Sequence, residues 1–469
     1  MPVADIPFPK SSLPGQEPGE GQGRLVNCYC EVDAGVPTWR ASPGFNLFVD
    51  TTLSTPRGFL NNAGVLYAAF EDDVVTITSN AVVTALTGTV AGTNNVTWAR
   101  NNKSPTPDVV LCDGANTYTV TASAVTSFAD ADWPSMKCVT DIDGYIVGLT
   151  GSGQLWATDL NDITVNALSF TQCQANPDGG TRVVRYGRQL YVFGDASCEI
   201  YSNVGTSPFP FTRSEVVSVG LLAQFAIAGF ESGWDGPLIF VASDGTVRKM
   251  DGYTPTRIST KDVERAIQGV VNKDSLSASV HVVAGHPVFS LSSLTWTWEF
   301  NLVTGFWHER KSYGLERWRA SQSVNFDGAW VVGDTESGQL FRLSEAEYDE
   351  DGGQIVMTLE SGPIKQFPGR VYIQNAFFDF TTGQGSILGS DDEVNPTVSV
   401  QWSNDGGATW SNELNVRSLG AMGQFVNQIR VNRIGLSTHH GTRFRLTTSS
   451  PVYRTFRGGR ANAEARNAA

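Results

Sequence analysis

QLYVFGDASCEIY, residues 189–201, consists of an apolar run of β-forming side chains, a Gly-Asp-Ala-Ser turn and a second apolar run. This order of residues predicts a β-hairpin. Similar stretches recur about every 40 to 50 residues, which is the blade period of a β-propeller. Their turns or strand starts lie near Gly64, Gly114, Gly144, Gly187, Gly236, Gly285 and Gly328. The sequence therefore predicts an all-β protein built around a β-propeller of six or seven blades.

The flanking segments predict further domains. We expect five parts: an extended N-terminal arm at 1–23, an N-terminal β segment joining the platform at 24–56, the propeller at 57–354, a small C-terminal β-sandwich or barrel at 355–458, and a loose or partner-ordered tail at 459–469. The C-terminal part has the strand content of one β-sandwich.

Two short segments interrupt this β pattern. STKDVERAIQGVVN (259–272) has helical spacing of its apolar residues, with Ser259 or Thr260 as the N-cap, and predicts a helix on the propeller edge. The acidic stretch EAEYDEDGG (345–353) lacks the ordered ligand spacing of a calcium loop. We expect a solvated linker there.

The charge is unevenly distributed. The net charge is −14, but residues 411–469 contain nine Arg, no Lys and two Glu, which leaves −21 for the first 410 residues. Such an acidic body argues against a general nucleic-acid-binding surface. The arginine-rich end suggests docking to a partner, although exposed arginines on strands without any such role would look the same. The candidate partner-interface residues are Arg417, Arg430, Arg433, Arg443 and Arg445.

The six cysteines and the N-terminus indicate a cellular compartment. Cys28 and Cys30 would face the same side of one strand, and no second Cys pair completes a zinc site. We expect buried free thiols. The first residues do not resemble a signal peptide, and no apolar run reaches the length of a membrane span. The sequence thus predicts assembly in a reducing cytoplasm.

No sequence motif indicates a catalytic, cofactor-binding or metal-binding site. The stretch from Ser403 to Trp410 resembles the Asp-box of sialidase-type propellers, which is a structural turn. His308 is interpreted as part of a polar strand end, and His439 and His440 as loop residues. The alternating aromatics Trp296, Trp298 and Phe300 suit packing between blades better than a sugar-stacking platform. We therefore predict no catalytic, cofactor-binding or metal-binding residues.

Four segments, taken in order, resemble a known family. They are VNCYCEV…WRASPGF (26–45), NPDGGTRVVRYGRQLYVFGDASCEIYSNVG (176–205), RISTKDVERAIQ (257–268) and the C-terminal group QWSNDGGATWS (401–411), RVNRIG (430–435) and FRLTTSSPV (444–452). The second is the most specific; its matching residues are Pro177, Asp178, Phe193, Gly194, Glu199 and Tyr201. Together the segments resemble the tail nozzle or hub proteins of short-tailed bacteriophages, also called packaged-DNA stabilisation or tail accessory proteins.

The resemblance implies a non-enzymatic structural protein of the virion tail. It implies a homo-oligomeric ring, of six copies, below the portal and the adaptor (head-to-tail connector) protein. Such a ring would extend the DNA channel, help retain packaged DNA and anchor tail fibres or tailspikes. Double-stranded DNA would pass without sequence recognition. The N-terminal arm and the length of 469 residues give little room for a large tip domain, which leaves open whether this chain ends the tail or supports a further fibre or needle.

Two alternatives remain open at the sequence level. The first is a carbohydrate-active propeller enzyme of the tail, a glycosidase or lyase, which would need clustered acids and aromatics in a central pocket. The second is a monomeric glycan-binding propeller. Activity on soluble glycans distinguishes the enzyme, and mass in solution distinguishes the monomer.

Overall fold

The computed structural model describes residues 3–176, 178–413 and 416–466. Five short strands come first: β1 (Val3–Asp5), β2 (Arg24–Val26), β3 (Cys28–Asp33), β4 (Val36–Ala41) and β5 (Gly44–Asp50). The first four join the C-terminal domain, and β5 joins the propeller. The N-terminal segment therefore contributes strands to both domains.

The described residues between 56 and 344 form seven propeller blades. Blades 1 to 4 consist of β6–β9 (Pro56–Asn62, Val65–Phe70, Asp73–Ile77, Val83–Ala85), β10–β13 (Thr97–Arg100, Val109–Cys112, Thr117–Val120, Val125–Ser127), β14–β17 (Cys138–Ile142, Tyr145–Leu149, Gln154–Ala157, Phe170–Gln172) and β18–β21 (Gly180–Tyr186, Gln189–Gly194, Cys198–Asn203, Phe211–Val217). Blades 5 to 7 contain β22–β25 (Ile227–Ala228, Ile239–Val241, Val247–Asp251, Thr254–Arg257), β26–β29 (Ser277–Val283, His286–Ser292, Thr297–Asn301, Phe306–Arg310) and β30–β32 (Ala320–Phe326, Ala329–Asp334, Gln339–Ser344). The prediction of a six- or seven-bladed propeller is confirmed, with seven blades.

The propeller closes through a strand from the N-terminus. Blade 7 supplies only three strands of its own, and β5 pairs antiparallel with β32 as the fourth. The first strand of blade 7, β30, lies beside the first strand of blade 1, β6. Phe45 of β5 is fully buried and stacks on Phe341 of β32, with ring centroids 4.4 Å apart. The last blade is thus held by residues from opposite ends of the propeller sequence.

The hairpin turns follow the predicted chemistry. Asp143 and Gly144 have φ angles of 52° and 90°, and Asp327 and Gly328 have 53° and 74°. Two successive residues with positive φ make a type I′ turn, whose twist matches that of the flanking strands. Local sequence therefore sets the first hairpin of these blades.

Apolar side chains between blades form the propeller core. Trp298 and Phe300 are buried in the cluster between blades 5 and 6, as predicted. Helix α1 (Lys261–Gly269) adds Val263 and Ile267 to the same cluster. Thr260 is its N-cap, since its side chain accepts a hydrogen bond from the Val263 amide. A 3₁₀ turn (Lys273–Ser275) follows.

The C-terminal domain is a two-sheet sandwich. Its remaining elements are β33 (Asp349–Glu350), β34 (Gly353–Gln354), β35 (Met357–Glu360), β36 (Arg370–Phe380), α2 (Asp391–Val394), β37 (Thr397–Ser403), β38 (Val416–Ser418), β39 (Ile429–Leu436), β40 (Arg443–Thr448) and β41 (Thr455–Arg466). One sheet has the order β3-β4-β41-β36-β39, with β1 against β41, and the other has β2-β35-β40-β37-β38. One hydrophobic core lies between them, and it includes Cys28 and Cys30. The cysteines are free thiols, as predicted: Cys173 is partly exposed and the other five are buried.

The propeller and the sandwich share a sheet. β2 pairs parallel with β29 of blade 6 on one side and antiparallel with β35 of the sandwich on the other. Arg24 of β2 forms an ion pair with Glu309 of β29 at 2.6 Å. The Asn27 side chain donates to the carbonyls of Lys311 and Val356 at 2.8 and 3.0 Å. This seam explains the asparagine in the first resemblance segment.

Two predicted segment descriptions differ from the structure. The tail of 459–469 is not loose where it is described, because β41 runs to Arg466 beside β36 and also pairs with β1. The acidic stretch 345–353 is not a solvated linker. It forms β33 against β5, and Glu350 is 3% exposed. In each case a partner strand distant in sequence provides hydrogen bonds that local composition does not reveal.

Candidate partner interface

Three of the five candidate arginines lie at one edge of the sandwich. Arg417 is on β38 and Arg430 and Arg433 are on β39, which are the last strands of the two sheets and lie next to each other. The Arg417 Nε donates to the Arg430 carbonyl at 2.9 Å. The Arg430 guanidinium lies 5.1 Å from the centre of the Phe377 ring. None of the three forms an ion pair with an acid in the described part of the chain.

The other two candidates lie elsewhere. Arg443 is 5% exposed on the interior strand β40, and burial lowers the pKa of its guanidinium. Arg445 pairs with Glu360 at 2.7 Å and stacks on the Trp410 ring at 3.9 Å. The structure therefore separates the five residues. Arg443 has no exposed charge to offer a partner, and the charge of Arg445 is already neutralised.

The remaining C-terminal arginines are also occupied. Arg457 pairs with Asp379 at 2.7 Å and Arg460 with Asp5 at 3.0 Å. Arg454 is 2% exposed and donates to three backbone carbonyls. Residues 411–469 carry a net charge of +7. The arginines among them that are exposed and form no ion pair in the described residues are concentrated at the edge formed by β38 and β39.

Exposed apolar side chains lie beside these arginines. In and around the loop between β38 and β39, Val416, Met422, Phe425 and Val426 are 49%, 56%, 68% and 93% exposed. Backbone hydrogen bonds tie this loop to the neighbouring 381–394 loop: the Gly383 amide donates to the Leu419 carbonyl, and the Gly423 amide to the Gly383 carbonyl. We call the surface formed by Val416, Arg417, Met422, Phe425, Val426, Arg430 and Arg433 the sandwich-edge patch.

The composition of this patch is similar to that of protein interfaces. Contiguous exposed apolar groups on a soluble protein mark interaction sites. Protein interfaces are enriched in aromatic, Met and Arg side chains. Unpaired edge strands such as β38 and β39 also present free backbone groups to a partner. The sequence pointed to the arginines through their number. Of the apolar members, Val416 is on β38 and the other three are loop residues, and no sequence pattern distinguishes them.

The Asp-box segment is a structural turn, as predicted. Asp405 accepts hydrogen bonds from the Thr409 amide at 2.8 Å and from the Ser403 hydroxyl at 2.7 Å. Burial opposes ionisation, but these hydrogen bonds hold the pKa of Asp405 at about 2. Trp410 packs under Arg445.

The most specific resemblance segment also has a structural explanation. Asp178 accepts hydrogen bonds from the Ala196 and Ser197 amides at 2.8 and 2.9 Å and so shapes the turn after β19. Glu199 is 2% exposed and accepts from the Tyr201 hydroxyl at 2.8 Å and from Arg213 at 3.1 Å. Pro177 lies outside the described residues.

His308 is not part of a polar strand end, in contrast to the prediction. It is 3% exposed and forms a 2.9 Å hydrogen bond with Glu299, its cross-strand neighbour in blade 6. Arg310, also 3% exposed, pairs with Glu350 at 3.2 Å. Burial opposes ionisation of Glu299, but the His308 hydrogen bond and nearby positive charges hold its pKa at about 2. This buried ionic cluster joins blade 6 to the 345–353 segment.

Within residues 3–176, 178–413 and 416–466, no group of three or more His, Cys, Asp or Glu side chains is arranged to hold a metal ion. Over the same ranges, no helix combines the length and the apolar character needed to cross a membrane.

Comparison with solved structures finds distant likenesses. The computationally designed Ika8 protein is 11% identical, with 72% of this chain and 99% of that chain covered, at a TM-score of 0.38. The WD40 β-propeller domain of Doa1 is 12% identical, with 64% and 96% covered, at a TM-score of 0.41. PorZ of Porphyromonas gingivalis is 12% identical, with 70% and 42% covered, at a TM-score of 0.38. At these scores the likenesses carry no argument about function.

The family models are more informative. No curated protein matches the chain. The model described as "Bacteriophage P22 Gp10, beta-propeller" matches residues 33–348, and the one described as "Bacteriophage P22 Gp10, beta-sandwich" matches residues 368–464. The two matches cover both domains of the structure in the same order. The chain therefore belongs to the bacteriophage P22 Gp10 family of short-tailed phage tail proteins.

Proposed function

We propose that this protein is a structural ring component, a nozzle or hub, of a short phage tail. In this proposal six copies assemble below the portal and its adaptor protein, extend the DNA channel, help retain packaged DNA and anchor tail fibres or tailspikes. The match of both family models over both domains is the observation that carries the proposal.

The closed propeller suits a mechanical part. Seven blades complete a ring within one chain, and β5 joins its ends. A closed ring protects its sheet edges except at the outermost strands. The shared sheet through β2 couples the propeller to the sandwich, so that a load on one domain is transmitted to the other.

DNA would pass between copies rather than through a propeller. The axial cavity inside the blades has a volume of about 260 Å³, which is the size of a small-molecule pocket and far too small to hold a DNA duplex. The acidic first 410 residues would repel phosphate along a lumen between copies and let DNA slide without adhering.

The sandwich-edge patch is the surface we assign to a protein partner, either the adaptor or a neighbouring copy. Its three arginines have no ion-pair partner among described residues, and its apolar side chains are exposed in the single chain. An acidic partner with an apolar rim would neutralise the first and cover the second.

Light scattering tests the proposal directly. The purified protein is measured with and without purified adaptor, as the natural chain and as an Arg430→Glu/Arg433→Glu variant. We expect a ring of about six copies, alone or with adaptor, that the double variant fails to form. An Arg188→Glu variant is the control, because Arg188 is exposed in blade 4, away from the sandwich.

Two results would contradict the proposal. A natural chain that stays monomeric whether or not adaptor is present would refute the ring. A double variant that assembles as well as the control would refute the assignment of the patch while leaving the ring intact.

A further inference from the structure

A second group of exposed apolar side chains lies on the outer rim of the propeller, at blade 3. Leu160, Leu168 and Phe170 are 56%, 67% and 37% exposed. The two leucines belong to the loop between β16 and β17, and Phe170 begins β17, the last strand of its sheet. The Phe170 ring stacks on the Trp156 ring with the centroids 4.6 Å apart, which fixes its orientation on the surface. Exposed apolar side chains grouped in this way mark interaction sites.

Aspartates surround these apolar side chains. Asp159 and Asp162 lie in the same loop, and Asp130 and Asp132 lie in the loop that follows β13 of blade 2. The two loops are in contact, because the Asp130 carboxylate accepts a hydrogen bond from the Val165 amide at 2.8 Å. None of the four carboxylates forms an ion pair with a Lys or Arg among the described residues. We call the surface formed by Asp132, Asp159, Leu160, Asp162, Leu168 and Phe170 the propeller-rim patch.

The surrounding sequence has almost no positive charge to neutralise this patch. Residues 104–181 contain nine Asp, no Glu, no Arg and one Lys, which gives a net charge of −8. The single lysine, Lys137, lines the cup at one mouth of the propeller axis. The sandwich-edge patch has the opposite charge, because its three arginines form no ion pair within the described ranges. Both patches also contain exposed apolar side chains, so the two surfaces are complementary.

The two patches lie at opposite ends of the molecule. The sheet of blade 6 continues through β2 into the sandwich, in the order β26-β27-β28-β29-β2-β35-β40-β37-β38. Ser277 and Ala278 of β26 line the axial cavity, and β38 carries Val416 and Arg417. Eight steps between neighbouring strands, of about 4.8 Å each, place β38 about 40 Å from the propeller axis. The rim between blades 2 and 3 is three and a half blades from blade 6, and hence across the axis from the sandwich.

This arrangement suits a head-to-tail contact between identical chains. A heterologous interface joins two different surfaces of the same protein, and it produces a ring when the rotation between copies closes. The adaptor protein on the sandwich edge would leave the propeller rim uncovered. A neighbouring copy in a closed ring covers both patches of every chain.

We propose that the sandwich-edge patch of one copy binds the propeller-rim patch of the next copy. In this contact the arginines of β38 and β39 face the rim aspartates, and the apolar side chains of the two patches pack against each other. The inference rests on the proposed ring and names the two surfaces through which neighbouring copies meet.

Charge reversal tests the contact. Arg430→Glu/Arg433→Glu reverses the sandwich edge, Asp132→Arg/Asp159→Arg reverses the rim, and a fourfold variant carries both changes. Association is measured by light scattering over a range of protein concentrations, with adaptor added if the natural chain requires it. We expect each twofold variant to weaken association about tenfold or more, because like charges then meet across the contact. The fourfold variant should recover association to within about threefold of the natural chain, because the charges are again opposite.

A matched control for the rim comes from blade 5. Asp235 and Asp251 are exposed, lie in or beside β22–β25, and form no ion pair in the part of the chain that the structure describes. Asp235→Arg/Asp251→Arg changes the net charge by the same amount as the rim reversal. It should associate as the natural chain does.

The outcomes separate this contact from the ring itself. If the rim reversal assembles like its control while the sandwich-edge reversal does not, the sandwich edge binds the adaptor or another surface. The contact is then refuted and the ring stands. A fourfold variant that associates no better than the twofold variants would also refute the contact. A natural chain that stays monomeric with adaptor present would refute the ring, and the contact with it.

A covalent test does not depend on charge. Leu168→Cys and Val426→Cys in one chain place a thiol in each patch, in a Cys173→Ala background that removes the partly exposed native thiol. Oxidation with copper-phenanthroline should link successive copies, and non-reducing electrophoresis should show a ladder that disappears on reduction. The variant with Leu168→Cys alone is the control and cannot extend beyond a dimer. The absence of a ladder from the two-cysteine chain would overturn the proposal.

Discussion

The closure of the propeller depends on Phe45, and this dependence can be measured. Phe45 has no exposed surface, packs with Trp318 and Phe341 in the core of blade 7, and belongs to the strand that the N-terminus lends to that blade. Phe45→Ala removes a buried ring and leaves a cavity. Such a change costs about 3–5 kcal/mol, and the lost stacking on Phe341 at 4.4 Å places the expected value toward the upper end.

The assay is equilibrium denaturation in urea followed by tryptophan fluorescence, since Trp318 lies in the same cluster. Leu47→Ala is the matched control, because Leu47 is on the same strand but 41% exposed. We expect it to change the free energy of unfolding by less than about 0.5 kcal/mol. Hydrogen exchange should also accelerate at Gln339–Ser344 in Phe45→Ala while blade 3 stays protected.

The refuting result is specific. If Phe45→Ala and Leu47→Ala lower the stability equally, or if exchange at Gln339–Ser344 is unchanged, then β5 does not hold blade 7 closed. A uniform increase of exchange over all blades would instead mean that the propeller opens only as one unit.

Three further predictions concern single side chains. Glu350→Ala should lower the free energy of unfolding in urea by about 3–5 kcal/mol, because it leaves the buried Arg310 unpaired. Glu345→Ala, at an exposed position of the same acidic stretch, should lower it by under about 0.5 kcal/mol, and equal losses would restore the linker interpretation. Hydrogen bonds lower the pKa of the Asp405 carboxyl from 3.8 to about 2 in the folded protein, so its stabilisation relative to Asp405→Asn should be complete above about pH 5 and disappear as the pH falls through about 2. A stability difference that stays constant down to about pH 2 would contradict this. Thr260→Ala should lower stability by about 1 kcal/mol through loss of the N-cap, with Thr260→Ser restoring it, and a serine variant as unstable as alanine would exclude capping as the cause.

The blades, the helix cap and the Asp-box turn could be predicted because each depends on residues that are close in sequence. Asp143 and Gly144 determine a turn by their own backbone preferences, and the alternation along each strand determines which side chains are buried. Thr260 caps the helix three residues away. The family resemblance was visible for the same reason, since its segments are short runs whose internal hydrogen bonds, such as those of Asp178 and Glu199, shape local structure.

The candidate interface could be predicted only in part. The number of arginines near the C-terminus indicated a basic end, but the sequence does not show which of them find an acid. Arg460 pairs with Asp5 and Arg445 with Glu360, through strands that meet only in the folded sandwich. The free charge remaining on Arg417, Arg430 and Arg433 is what is left after these tertiary pairings.

The sequence by itself thus determined the repeating unit, its turns and the family, because these arise from short-range preferences. Only the tertiary structure decided how the unit closes and what its interior contains. Arg24 and Glu309 are 285 residues apart in sequence and in direct contact in the fold. The partners of β5 and the burial of Glu350 both follow from such long-range contacts, whose identity depends on the packing of every blade against its neighbours.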